Sequence, residues 1–319
     1  MSKPKLAMTW LSGCGGCEES ILDLGRDLTG LLEQVCVVYW PVALDARRED
    51  LGRMADGEIT ACLVNGAVRT EEDLETARLL RRKSRVVLAH GSCAHLGGVY
   101  GLANLSSVRE ILDRSYPTPS VSTERGGAPA AGEAEHPLPK LLERVFSLDQ
   151  VVKVDAVIPG CPPASNGIRD ALSAVVGGRL PTGGEVFAET RALCDTCPRR
   201  ETRRKDTRVR RFKRFHEGSW DPEVCFLEQG LLCLGPATRG GCEARCIRAN
   251  VPCRGCYGPV EGVRDAGGAV IGFVASLLED AAPEALESAV ASLPDPAGLF
   301  YRYSLPSSLL GGRLRKEDP

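Results

Sequence analysis

Apolar positions along the first half of the chain follow two alternating periods. Residues 5–11 form a short apolar run and predict a first strand. Ile21, Leu24, Leu28 and Leu31 keep helical spacing across residues 17–32. Residues 34–40, β-branched and aromatic, predict a second strand stopped by Pro41, and 59–64 a third. Thr70 is placed to cap a helix whose first turn carries Glu71, Glu72 and Asp73 and whose end carries Arg81, Arg82 and Lys83. Acids at a helix start and bases at its end both match the helix dipole. Residues 85–89 predict a fourth strand and 151–158 a fifth, with a helix over 165–176. Residues 118–137, rich in Gly, Pro, Ala and Ser, predict a surface loop, and 141–146 a short helix. Strands alternating with helices predict an α/β fold, a doubly wound and mostly parallel sheet.

The cysteines fall on this pattern in an ordered way. Leu11-Ser12-Gly13-Cys14-Gly15-Gly16-Cys17-Glu18-Glu19 reads as strand end, glycine turn and helix start. Cys14 and Cys17 follow the first predicted strand, Cys93 the fourth and Cys161 the fifth. Loops after the strands of an open parallel sheet share one edge, so four thiols from three distant segments are expected to meet there. Cys36 and Cys62 lie inside predicted strands and read as small buried hydrophobes.

From Cys194 onward the chain becomes loop-like. Cys194, Cys197, Cys225, Cys233, Cys242, Cys246, Cys253 and Cys256 fall in a segment with little apolar periodicity. Such a segment calls for metal to hold it together. Eight thiols make two four-cysteine sites, and zinc is the ordinary alternative to iron–sulfur. Residues 266–319 predict two short helices, over 271–278 and 283–293, and a basic tail.

Composition narrows the function classes. The chain has 319 residues, 14 of them cysteine, and a formal net charge of −2, which gives no general pull toward nucleic acid or membrane. No apolar run reaches spanning length, and the N-terminus lacks a secretory pattern, so a reducing cytoplasm is the expected compartment. Residues 199–214 hold ten Lys or Arg among sixteen and read either as a solvated face or as a partner-docking patch. His90 and His95 flank Cys93 and read as hydrogen-bond donors to sulfur or equally as packing or capping residues, whereas His136 and His216 read as surface residues.

These motifs resemble the small, electron-transferring subunit of nickel–iron hydrogenases, and the resemblance covers nearly the whole chain. It implies a proximal 4Fe-4S cluster on Cys14, Cys17, Cys93 and Cys161. It implies a medial 4Fe-4S cluster on Cys242, Cys246, Cys253 and Cys256, and a distal one on Cys194, Cys197, Cys225 and Cys233. The residues around Trp10, Val38-Tyr39-Trp40-Pro41 and Gly101-Leu102-Ala103-Asn104-Leu105 are most similar to the cytoplasmic, methyl-viologen-reducing type. That type implies a nickel–iron large subunit, a 2Fe-2S acceptor subunit and heterodisulfide reductase as partners. There would be no nucleic acid and no nickel site in this chain. Glu19 is the candidate for proton relay, or else a favourable charge in a first helical turn. The division expected is 1–185 for the flavodoxin-like part, 186–265 for the medial and distal clusters, and 266–319 for the C-terminal helices. The alternatives are the delta subunit of an NADP-linked sulfhydrogenase, a zinc-stabilised binding module and a dithiol enzyme using Cys14 and Cys17. The chain also resembles the quinone-side cluster subunit of respiratory complex I, but that subunit has adjacent cysteines and a single cluster.

Overall fold

A computed structural model describes residues 3–116, 138–278, 283–293 and 295–310. The expected loop over 118–137, His136 and the basic tail after residue 310 lie outside the described residues. The centre of the fold is a parallel sheet built from β1 (Lys5–Trp10), β2 (Cys36–Tyr39), β3 (Ile59–Asn65), β5 (Ser84–His90), β7 (Ala156–Ile158) and β8 (Glu185–Val186). Its order is β2-β1-β3-β5-β7-β8, the flavodoxin-like winding. A small antiparallel pair, β4 (Val68–Thr70) with β6 (Leu141–Phe146), lies beside it.

Period-two alternation divides the strand residues between two cores. Leu6, Met8, Ala61, Leu63, Val86, Leu88, Ala156 and Ile158 face one side. They pack against α1 (Gly16–Leu22) and α7 (Ser165–Val176), with α2 (Arg26–Gln34) alongside. Ala7, Cys62, Val64, Val87, Ala89 and Val157 face the other. There they meet α3 (Arg48–Arg53), α4 (Glu71–Lys83), α5 (Ser92–Leu96) and the β4–β6 pair. Strands buried on both faces read as continuous apolar runs, which is why β3 and β5 are plain in the sequence. Thr70 caps α4 as expected: its hydroxyl accepts the Asp73 N–H at 3.0 Å and Asp73 reaches back to the Thr70 N–H at 2.9 Å.

Four expectations need correction. The helix over 17–32 is two helices, broken at Gly25, whose φ of +57° no helix interior accommodates. Residues 141–146 are strand β6 rather than helix, because Val68 and Thr70 offer them a ladder partner. The strand expected from 151 begins only at Ala156, since a 3-10 turn over Leu148–Gln150 precedes it. Cys36 is exposed at the start of an edge strand, while Cys62 is buried, its thiol pushed up to about 12 by burial.

The cysteine-rich segment also has an apolar core of its own. Phe212, Phe226, Leu227, Leu231 and Ile247 pack there with Val270, Val274 and Leu277 of α9 (Ala266–Leu277). The core takes in Leu299 of α11 (Pro296–Phe300) as well. The remaining helices are α6 (Val108–Ser115), α8 (Arg245–Arg248) and α10 (Pro283–Ala291). No helix among the described residues is long and apolar enough to cross a membrane.

Candidate metal centre

The carboxyl ends of β1, β5 and β7 carry the first thiol set. β3 pairs with both β1 and β5, and β5 with β7, so the loops after these strands open on one edge. Cys14, Cys17, Cys93 and Cys161 converge there. Burial raises the Cys17 thiol most, followed by the charges of Cys93, Cys161 and Cys14. Cys93 is pushed up to about 12, again mainly by burial, then by Cys161 and Cys14, while the Val99 amide works the other way. Two glycines make the space. A Cβ on Gly91, at φ +89°, would overlap the Cys17 sulfur, and one on Gly98 the Cys93 sulfur.

The residue after Cys17 anchors this loop. Glu18 is 6% exposed, and its carboxylate accepts Trp40 Nε1–H at 2.6 Å and Asn65 Nδ2–H at 2.7 Å. Glu19 is exposed. Nothing in the spacing distinguishes the two acids; the positions of Trp40 after β2 and of Asn65 at the end of β3 bring donors to Glu18. His90 is buried and lies against the Cys17 carbonyl oxygen, 3.0 Å from its Nε2, rather than reaching a sulfur. His95 is half-buried beside the Gly258 turn, and desolvation lowers both histidines to about 4. His216 is exposed, as expected.

Cys194, Cys197, Cys225 and Cys233 form a second set. Burial pushes Cys194 up to about 12, with the Cys233 charge next and Cys197 and Cys225 adding. Cys233 rises to about 11 through burial, opposed by the amides of Gly235 and Cys253. A Cβ on Gly235 would come within 3.2 Å of the Cys194 sulfur and 3.7 Å of the Cys233 sulfur. Cys242, Cys246, Cys253 and Cys256 form the third. Burial pushes Cys256 up to about 12, with the charges of Cys242, Cys161 and Cys246 adding and the Cys161 amide opposing.

The sets adjoin in series. Cys256 of the third set feels Cys161 of the first. Cys253 of the third donates its backbone N–H to the Cys233 sulfur of the second, at 3.3 Å. The loops are tied as well. Ser92 Oγ donates to the Cys256 carbonyl at 2.5 Å, the Ala164 N–H to the Tyr257 hydroxyl at 3.0 Å, and Asn166 to the Gly241 carbonyl at 2.9 Å. Arg199 reinforces the far end. It is 4% exposed, stacks over the Phe226 ring at 4.0 Å, and donates to Val224, Ile247 and Asn250. Part of the basic stretch is thus structural: Arg199, Thr207, Val209 and Phe212 are all buried.

Thiol donors, amide N–H groups aimed at sulfur, and glycines that clear space beside it fit iron–sulfur clusters. Among the described residues no three His, Cys, Asp or Glu side chains are gathered to hold one metal ion.

Residues 14–175 match the family described as NADH ubiquinone oxidoreductase, 20 Kd subunit. The match holds the first thiol set and stops short of the other two. The iron–sulfur subunit of an F420-non-reducing hydrogenase from Archaeoglobus profundus is 37% identical over 98% of this chain and 99% of its own. The corresponding vhu subunit of an F420-non-reducing hydrogenase from Methanocaldococcus jannaschii is 38% identical over 98% of each chain. The chain belongs to this family of hydrogenase small subunits. As a hydrogenase small subunit it is one part of an oxidoreductase complex. A solved NAD+-reducing [NiFe]-hydrogenase in its H2-reduced state contains a chain 30% identical to it, with a TM-score of 0.50. That likeness spans 57% of this hydrogenase subunit and 96% of the other chain.

Proposed function

We propose that this subunit is the electron relay of a nickel–iron hydrogenase, holding three 4Fe-4S clusters in series. The observation that carries the reading is the serial contact of the thiol-bearing loops: Ser92, next to Cys93, bonds the Cys256 carbonyl, and the Cys253 N–H bonds the Cys233 sulfur. Cys14, Cys17, Cys93 and Cys161 are the proximal ligands. Cys242, Cys246, Cys253 and Cys256 are the medial ones, and Cys194, Cys197, Cys225 and Cys233 the distal ones. When bound, each cluster supplies one-electron storage and transfer. The chain's own residues set the spacing and the environment. Buried thiols release protons on metallation, because only thiolates ligate. Amides of Val99, Cys161, Gly235, Leu227 and Gly255 then remain as donors to sulfur, which raises a cluster's potential.

The proximal end meets the large subunit, which carries the nickel. Trp10 and Tyr100, 44% and 41% exposed, border the first set and supply an apolar rim for that contact. Glu19, exposed at the same end, is the candidate proton-relay group across that interface. Residues 1–185 would act as the proximal unit, 186–265 as the medial and distal unit, and 266–319 as its helical support. The electron acceptor is a 2Fe-2S subunit that serves heterodisulfide reductase, in the cytoplasm. The full-length likeness to the F420-non-reducing hydrogenase subunits favours this over a sulfhydrogenase delta subunit.

The test is Cys161→Ser in the assembled complex. Loss of H2-driven dye reduction together with the proximal cluster signal is expected. Unchanged dye reduction would overturn the assignment of this ligand.

A further inference from the structure

The distal thiols do not sit under a neutral surface. Cys194, Cys197 and Cys225 line a solvent-open cavity of about 410 Å³. Arg199, Arg200, Arg203, Arg204 and Lys205 line it too, against one carboxylate, Asp195. Two of the cations are already engaged. Arg199 is buried in its stack on Phe226, and Arg204 pairs with Glu228 at 2.9 Å. Arg203 is half-buried, 5.9 Å from the centroid of the Phe273 ring. Arg200 and Lys205 are exposed, and Arg200 gives one N–H to the Asp195 carbonyl. Arg200 and Lys205 thus give the thiol-lined cavity exposed positive charge, while the chain as a whole carries a net charge of −2.

We infer that this cationic rim is the docking surface for an acidic protein electron acceptor, with Arg200 and Lys205 as its steering charges. The inference rests on the relay reading above. Physics favours such an arrangement where electrons must leave quickly. Complementary charge raises the encounter rate and fixes the partner's register more than it raises affinity. A protein fits better than a small anion, because Arg199, Arg203 and Arg204 are already held by Phe226, Phe273 and Glu228, while Arg200 and Lys205 are exposed. Interleaved aromatics, which single-stranded nucleic acid would stack on, are sparse between residues 199 and 214, where Phe212 is buried.

The experiment uses the assembled hydrogenase with H2 as donor and two acceptors, an acidic ferredoxin and the dication methyl viologen. One H2 yields two protons and two electrons, reducing two molecules of either one-electron acceptor. For the unmodified complex, kcat/KM for ferredoxin is expected to fall as salt is raised. In Arg200→Glu/Lys205→Glu it is expected to drop roughly tenfold and lose its salt dependence, with viologen reduction kept. Ferredoxin reduction in that variant equal to the unmodified complex, or insensitive to salt in both, would overturn the inference. So would retention of duplex DNA by these residues with no change toward ferredoxin. If the unmodified complex reduced neither acceptor, the relay reading itself would fall, and the docking surface with it.

Discussion

The backbone N–H of Cys253 donates to the sulfur of Cys233 across 3.3 Å. One bond therefore spans two thiol sets whose ligands come from separate loops. Gly235 lies between them, within 4.0 Å of Cys253 Cβ were it to carry a Cβ of its own. Changing Cys233 should disturb both sets. Cys233→Ser is expected to remove about four irons per chain and to shift the signal of the neighbouring cluster. Iron analysis with electron paramagnetic resonance checks both effects; a lost cluster with an untouched neighbour would break the coupling.

Gly91 is the tightest point of the first set. It combines φ +89° with a Cβ direction that runs into the Cys17 sulfur. Gly91→Ala adds backbone strain of about 1–3 kcal/mol to that overlap. The expected outcome is a complex that retains the other two clusters and loses the proximal one, with H2-driven dye reduction abolished. Full iron content in the purified variant would show that the loop can yield.

Glu18 and Glu19 are neighbours in sequence with opposite surroundings. Glu18→Ala leaves the buried Trp40 Nε1–H and an Asn65 N–H without their acceptor and should destabilise the chain by about 2–4 kcal/mol. Glu19→Gln, at an exposed position, should change stability by no more than about 0.5 kcal/mol. If Glu19 relays protons, its variant will still lose H2 turnover roughly tenfold or more. Thermal unfolding and H2 oxidation, measured on both variants, separate the roles.

Asp155 ties α4 to the sheet. Burial alone would raise its carboxyl, but the Val87 amide at 2.9 Å, Arg81 at 2.5 Å and Lys153 at 3.1 Å hold it below the ordinary range. Its folded pKa is thus below its unfolded one. The stabilisation is complete above the ordinary carboxylate pKa and is lost as pH falls through the folded value. Asp155→Asn should lower stability near neutral pH by about 1–3 kcal/mol, and the gap should close in acid. Unfolding midpoints across the acid range check the sign; a gap that widens as pH falls would contradict it.

The sequence makes some of this plain and hides the rest, for reasons that residues explain. Buried strands such as β3 and β5 are continuous apolar runs, and the Thr70–Asp73 capping pair is a local signal, so both are legible. The meeting of Cys14, Cys17, Cys93 and Cys161 follows from strand order alone. Residues 141–146 are open to a helical reading because their partner, β4, lies about seventy residues earlier in the chain. Gly25 looks like any tolerated helix glycine until its positive φ is seen. The core around Phe212, Phe226 and Ile247 has no period, because its members come from short turns rather than from one helix. Glu18 cannot be told from Glu19 in the sequence, since Trp40 and Asn65 reach it only through the fold.

The relay stands or falls on three four-iron clusters held by three thiol sets. Iron, zinc and acid-labile sulfide per chain, measured on complex purified without oxygen, decide the matter. Three clusters require about twelve irons with matching sulfide in this subunit, once the partners' metal is subtracted. About four irons, or zinc without sulfide, would refute them and leave the second and third thiol sets without their assigned role.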